Sequence, residues 1–78
     1  MTDTKIDERI VYFYAEIEPD YDNQCCGIHR SSVKPEECTN PNWINVPVYD
    51  TGYVFKYYIN GNWYEDAAGT IPWQSSLI

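Results

Sequence analysis

Apolar and polar positions alternate over residues 8–18, where Val11, Phe13, Ala15 and Ile17 interleave with Tyr12, Tyr14 and Glu16. Successive side chains of a strand point to opposite faces, so a period of two predicts a strand here. Its β-branched and aromatic residues suit a pleated surface. Pro19 ends the run, because proline has no N–H for a ladder.

The same alternation returns from Trp43 onward. Trp43 to Tyr49 is expected to be a strand, with Pro47 arguing for a sheet edge. Asp50-Thr51-Gly52 reads as a turn, and Tyr53 to Ile59 as the longest strand. Asn60-Gly61 is the strongest two-residue hairpin signal, because both turn positions need positive φ. That turn sets the register: Ile59 opposite Asn62, Tyr58 opposite Trp63, Tyr57 opposite Tyr64 and Lys56 opposite Glu65. Asp66-Ala67-Ala68-Gly69 reads as a type I turn closed by a left-handed glycine, followed by a last strand over Thr70 to Trp73.

Between these regions, residues 19–42 show neither the helical nor the strand period and are rich in Asp, Asn, Ser and Pro. They are expected to form one long irregular loop, with a single helical turn at Pro35-Glu36-Glu37-Cys38, where proline suits a first helical position. The expected fold is therefore all-β: a small antiparallel β-meander or barrel-like sheet of about five strands. Residues 1–78 are expected to form one domain, with residues 1–7 as an N-terminal arm and 19–42 as the long loop.

Charge changes the picture of partners. The 78 residues carry 12 acidic against 5 basic side chains, a net charge of −7. Binding to nucleic acid or to an anionic membrane needs clustered cations, so neither partner is expected. Asp3, Asp7, Glu8, Glu16, Glu18, Asp20 and Asp22 concentrate in the first third, as a solvated face or one that meets a basic partner. No apolar run is long enough to span a bilayer, and the start lacks a leader-like apolar stretch. A complete, soluble chain made in a cytoplasm is the expectation.

All three cysteines and the one histidine fall in the long loop. Cys25, Cys26, His29 and Cys38 could hold zinc tetrahedrally, although adjacent cysteines on an extended chain point apart. A disulfide from Cys38 to Cys25 or Cys26 would staple the loop and leave one thiol free. Reduced, packed thiols are the third reading, and an odd cysteine count without a leader fits a reducing compartment. Asp20-Tyr21-Asp22-Asn23 resembles a calcium loop only faintly, with Cys25 where glycine is needed, so a solvated acidic turn is expected. Common catalytic signatures are missing, and a nucleophile paired with His29 would lie on the same loop without a third orienting group. The chain is read as a non-enzyme without a cofactor.

Eight Tyr, three Trp and two Phe exceed what one small sheet face can bury. Solvent-exposed aromatics mark partner surfaces, and Tyr58, Trp63, Trp73, Leu77 and Ile78 are the candidates for an interface.

The stretch Asn62-Trp63-Tyr64-Glu65-Asp66-Ala67-Ala68-Gly69-Thr70-Ile71-Pro72 resembles one that recurs in structural proteins of tailed bacteriophages, among them tail-fibre modules and small decoration domains. The resemblance implies a non-enzymatic structural role in the virion. The function expected is a capsid cement or decoration subunit, assembling as a homo-oligomer and contacting capsid or other virion proteins. The alternatives are a small acidic inhibitor of a host nucleic-acid-binding protein, and a zinc-stapled protein-binding module.

Overall fold

The computed structural model describes residues 10–78. The expected arm over residues 1–7, the acids Asp3, Asp7 and Glu8, and the first residues of the predicted 8–18 strand lie outside the described residues.

The fold is all-β: five antiparallel strands in one open sheet, in the order β3-β1-β2-β4-β5. β1 (Tyr12–Glu18) and β2 (Gln24–Ser31) form the long central hairpin. β3 (Trp43–Val46) adds to the free side of β1, and β4 (Tyr57–Ile59) to β2 through the single pairing Gln24 with Tyr57. β5 (Asn62–Tyr64) completes a short hairpin with β4. Single 3₁₀ turns stand at Pro19–Tyr21, Pro35–Glu37 and Thr51–Tyr53. Among the described residues no helix is long and apolar enough to cross a membrane.

The strand set differs from expectation in three places. Residues 19–42 are not one loop, because β2 occupies their middle and is the central strand of the sheet. A bulge opposite Glu16/Ile17 shifts the register there, so Ile17 faces Cys25 while Glu16 faces Gly27. The extra residue, Cys26, breaks the alternation that would have marked the strand. The strands after residue 42 are also not a continuous meander, since β3 lies on the far edge beyond β1. Finally, Thr70 to Trp73 makes only one isolated bridge, Tyr64 with Pro72, and its geometry is set by the preceding turn. There the Asp66 carboxylate accepts from the amides of Thr70 and Ile71, each at 2.9 Å, and from the Thr70 hydroxyl.

The β4–β5 hairpin follows the expected register from Ile59–Asn62 to Tyr57–Tyr64. Asn60 and Gly61 have φ of 51° and 84°, as the two-residue turn requires. Lys56 and Glu65 fall beyond the last pair of this ladder. Lys56 instead places its ammonium 5.1 Å from the Trp73 ring centroid.

Both faces of the sheet carry packed side chains. On one face Ala15, Cys25, Val46 and Tyr53 are buried together, flanked by Phe13, Ile28, Val48, Trp63 and Trp73. Tyr53 meets Trp63 and Trp73 edge-on at 5.1 and 4.9 Å between ring centroids, a favoured aromatic geometry. The C-terminal tail closes over this face. Buried Ser75 donates its hydroxyl to Asp50 Oδ2 at 2.5 Å, and Asp50 Oδ1 accepts from the Gly52 amide at 2.8 Å. On the other face Tyr14 is buried beneath Trp43, and its hydroxyl donates to the Val33 carbonyl at 2.5 Å. That bond ties the segment after β2 across the sheet.

Candidate functional site

Tyr53-Val54-Phe55-Lys56 forms a type II turn. Val54 has φ −61° and ψ 132°, Phe55 has φ 76°, and the Lys56 amide donates to the Tyr53 carbonyl at 2.9 Å. The third position of such a turn needs positive φ and is ordinarily glycine or asparagine. A phenylalanine in this region is strained by roughly 1–2 kcal/mol, because its Cβ crowds the following carbonyl. The backbone has no freedom to relax. The Phe55 amide donates to the Cys25 carbonyl at 2.8 Å, and the Cys25 amide donates to the Lys56 carbonyl at 2.7 Å. The side chain of Gln24 also donates to the Phe55 carbonyl, at 3.3 Å.

The Phe55 ring gains little from its own chain in return, being 68 % exposed. A strained backbone holding a bulky apolar side chain in solvent breaks two local rules at one residue. Such conflicts cluster where a protein binds something else. The alternation of residues 53–59 concealed this turn, because Tyr-Val-Phe-Lys contains none of the residues that signal one.

The five interface candidates read from the sequence divide. Tyr58 and Trp63 are half-buried and pack on each other across the hairpin at 5.0 Å. Trp73 is half-buried against Tyr53, beneath Lys56. Leu77 and Ile78 are exposed, as are Tyr21 at the tip of the central hairpin and Ile71.

The cysteines are free thiols in three separate settings, and the proposed Cys38 disulfide is not formed. Cys25 is buried in the core, with its thiol donating to the Gly27 carbonyl at 3.2 Å. Burial pushes this thiol above the ordinary range. Cys26 is exposed at the bulge, and its thiol lies 3.5 Å from the Glu16 carbonyl. It too is pushed up, first by partial desolvation and then by the charges of Glu16 and Glu18. Cys38 is half-buried at the end of the Pro35–Glu37 turn. The four-ligand zinc set is therefore not assembled. Among the described residues no three His, Cys, Asp or Glu side chains gather to hold a metal ion. The calcium-like stretch is the hairpin turn itself, with Asp22 and Asn23 both left-handed and the Asn23 amide donating back to the Glu18 carbonyl at 3.0 Å.

His29 has a different set of partners. Its Nε2 lies 2.8 Å from Glu16 Oε1, and since a carboxylate only accepts, that nitrogen carries the hydrogen. Its ring stacks on Trp43 at 4.7 Å and 15°. Tyr14 stacks on the same indole at 5.4 Å and 30°. Burial raises the Tyr14 hydroxyl above the ordinary tyrosine range, and nearby Cys38, Tyr12 and Glu36 push the same way. Beside this stack an open cleft of about 240 Å³ is lined by Val33, Glu37, Cys38, Thr39, Asn40 and Trp43. This volume falls below the roughly 300–1,000 Å³ of small-molecule sites.

Comparison with family models, with curated proteins and with solved structures finds no match to this chain.

Proposed function

We propose that the chain is a non-enzymatic structural subunit that adheres to a larger protein assembly through Phe55. The observation that carries this reading is the exposed ring on a strained, doubly locked turn. Interface anchors are typically aromatic side chains that fill a partner's pocket within a polar surround. Phe55 fits that description, with Gln24 and Lys56 beside it and the acidic hairpin turn of Glu18, Asp20 and Asp22 at the adjoining end of β2.

The assembly we propose is a virion, with this chain as a capsid cement or decoration subunit that binds shell proteins as a homo-oligomer. That identity rests on the resemblance of residues 62–72 to virion structural proteins. The test is an inventory by mass spectrometry of particles purified from a host that makes the chain. A cement subunit co-sediments with the particles at a fixed ratio to the shell protein. A chain that stays entirely in the soluble host fraction contradicts the virion reading and favours the acidic inhibitor.

A further inference from the structure

The cleft beside Trp43 has an aromatic wall held in place from within. His29 and Tyr14 both stack on the indole, and each is fixed in turn, His29 by Glu16 and Tyr14 by the Val33 carbonyl. Trp43 therefore presents a pre-set surface to the cleft, and ordering it on binding costs little. No lysine or arginine lines the cleft, and its one charged lining group is the Glu37 carboxylate. Glu36 stands beside Glu37 on the same 3₁₀ turn. Lys34, which precedes this turn, is exposed and does not line the cleft. A proton taken up by His29 would be paired with Glu16, so it places no unpaired positive charge against the indole.

These features favour one ligand class. Tryptophan is the best aromatic partner for a cation, and a carboxylate in the same cleft adds attraction of the same sign. Anions meet Glu37 and the overall charge of −7. The volume suits a single side chain and is too small for a drug-sized ligand. We propose that the cleft beside Trp43 receives the cationic end of an arginine or lysine side chain presented by a protein partner. This rests on the reading of the chain as an adhesive subunit, and it adds the chemistry of the second contact.

The experiment is a titration of the isolated, isotope-labelled chain, followed through the Trp43 indole N–H resonance. The probes are N-acetyl-arginine methylamide, N-acetyl-lysine methylamide and the neutral citrulline analogue of the first. The proposal expects a saturable shift with at least one cationic probe and none with citrulline. Which cation binds tighter identifies the side chain delivered. Glu37→Gln should weaken the cation about threefold or more, while the dispersed amide spectrum shows an intact fold. Trp43→Leu, which keeps an apolar wall without the π face, should weaken it by at least as much, read from the Thr39 and Asn40 amides. Equal response to citrulline and arginine overturns the proposal, as does affinity unchanged in both variants. Because the titration uses the chain alone, its failure leaves the particle inventory and the Phe55 reading standing. A chain missing from particles would instead remove the adhesive reading.

Discussion

The Phe55 amide donates to the carbonyl of Cys25 at 2.8 Å, joining the most exposed aromatic turn of the molecule to one of its most buried residues. The return bond, from the Cys25 amide to the Lys56 carbonyl at 2.7 Å, makes the connection a two-bond clamp. Through this clamp the central strand dictates the backbone of the turn and holds the phenylalanine ring outward. The residues that set the position of Phe55 are thus in the core, while Phe55 itself contributes almost nothing to that core.

The β4–β5 turn gives a direct test of backbone conformation. A Cβ built on Gly61 meets no atom within 4 Å, so substitution there is opposed only by the φ of 84°. Gly61→Val should lower stability by more than about 1 kcal/mol, the cost of forcing a β-branched residue into the left-handed region. Equal denaturation midpoints for variant and parent would contradict the turn.

Acid should unfold the chain through two carboxylates. Asp50 is held below the ordinary carboxylate range by the Ser75 hydroxyl and then the Gly52 amide, and Asp66 by the Thr70 hydroxyl and then the Ile71 amide. Both therefore release protons more readily folded than unfolded, where the carboxyl titrates near about 3.9. The stability they contribute is fully present above that value and is lost as the pH falls through the lower folded values. Melting temperatures between pH 6 and pH 2 should stay level and then drop below about pH 4. The double variant Asp50→Asn, Asp66→Asn should start from a lower plateau and show a shallower acid limb. An unchanged acid limb would contradict this account.

Thiol reactivity should follow burial. Iodoacetamide should modify Cys26 and Cys38 in the native chain and reach Cys25 only when the core opens, read by peptide mass spectrometry over time. Neither a chelator nor a reductant should move the melting temperature. Modification of Cys25 at the rate of Cys26 would contradict the buried placement.

Trp73 and the C-terminal pair should separate in their effects. Trp73 meets Tyr53 edge-on at 4.9 Å and lies under Lys56, so Trp73→Ala should cost about 2 kcal/mol or more of folding stability. Leu77 and Ile78 are each 62 % exposed, and deleting both should change the unfolding midpoint little. A stable Trp73→Ala variant would move this tryptophan from the core to the partner-facing surface.

How far these features could be read in the sequence depended on whether local chemistry and tertiary context agreed. Asn60-Gly61 and Asp66 to Gly69 were legible, because their turns are demanded by the residues themselves. Pro47 marked an edge correctly, since β3 is an outer strand of the sheet. β2 was hidden because Gln24-Cys25-Cys26-Gly27 has weak strand preference and its bulge breaks the period of two. It is a strand because β1 supplies a ladder along its length, a long-range cause with no local trace. The Cys/His grouping dissolved for the same reason: once residues 24–31 are a strand, neighbouring side chains face opposite ways. Phe55 left no signal at all, because its left-handed turn is imposed by the clamp on Cys25 and not by any turn-forming residue.

The most direct test of the account is Phe55→Gly, measured both for folding and for adhesion. Glycine relieves left-handed strain of roughly 1–2 kcal/mol, against about 0.5–1 kcal/mol of added chain entropy in the unfolded state, so the unfolding midpoint should hold or rise. Re-addition of the purified variant to particles lacking the chain should show binding weakened about tenfold or more, the loss expected for an aromatic anchor. Normal binding by a well-folded Phe55→Gly chain would contradict the central claim, and so would a variant that loses stability, since Phe55 would then belong to the fold.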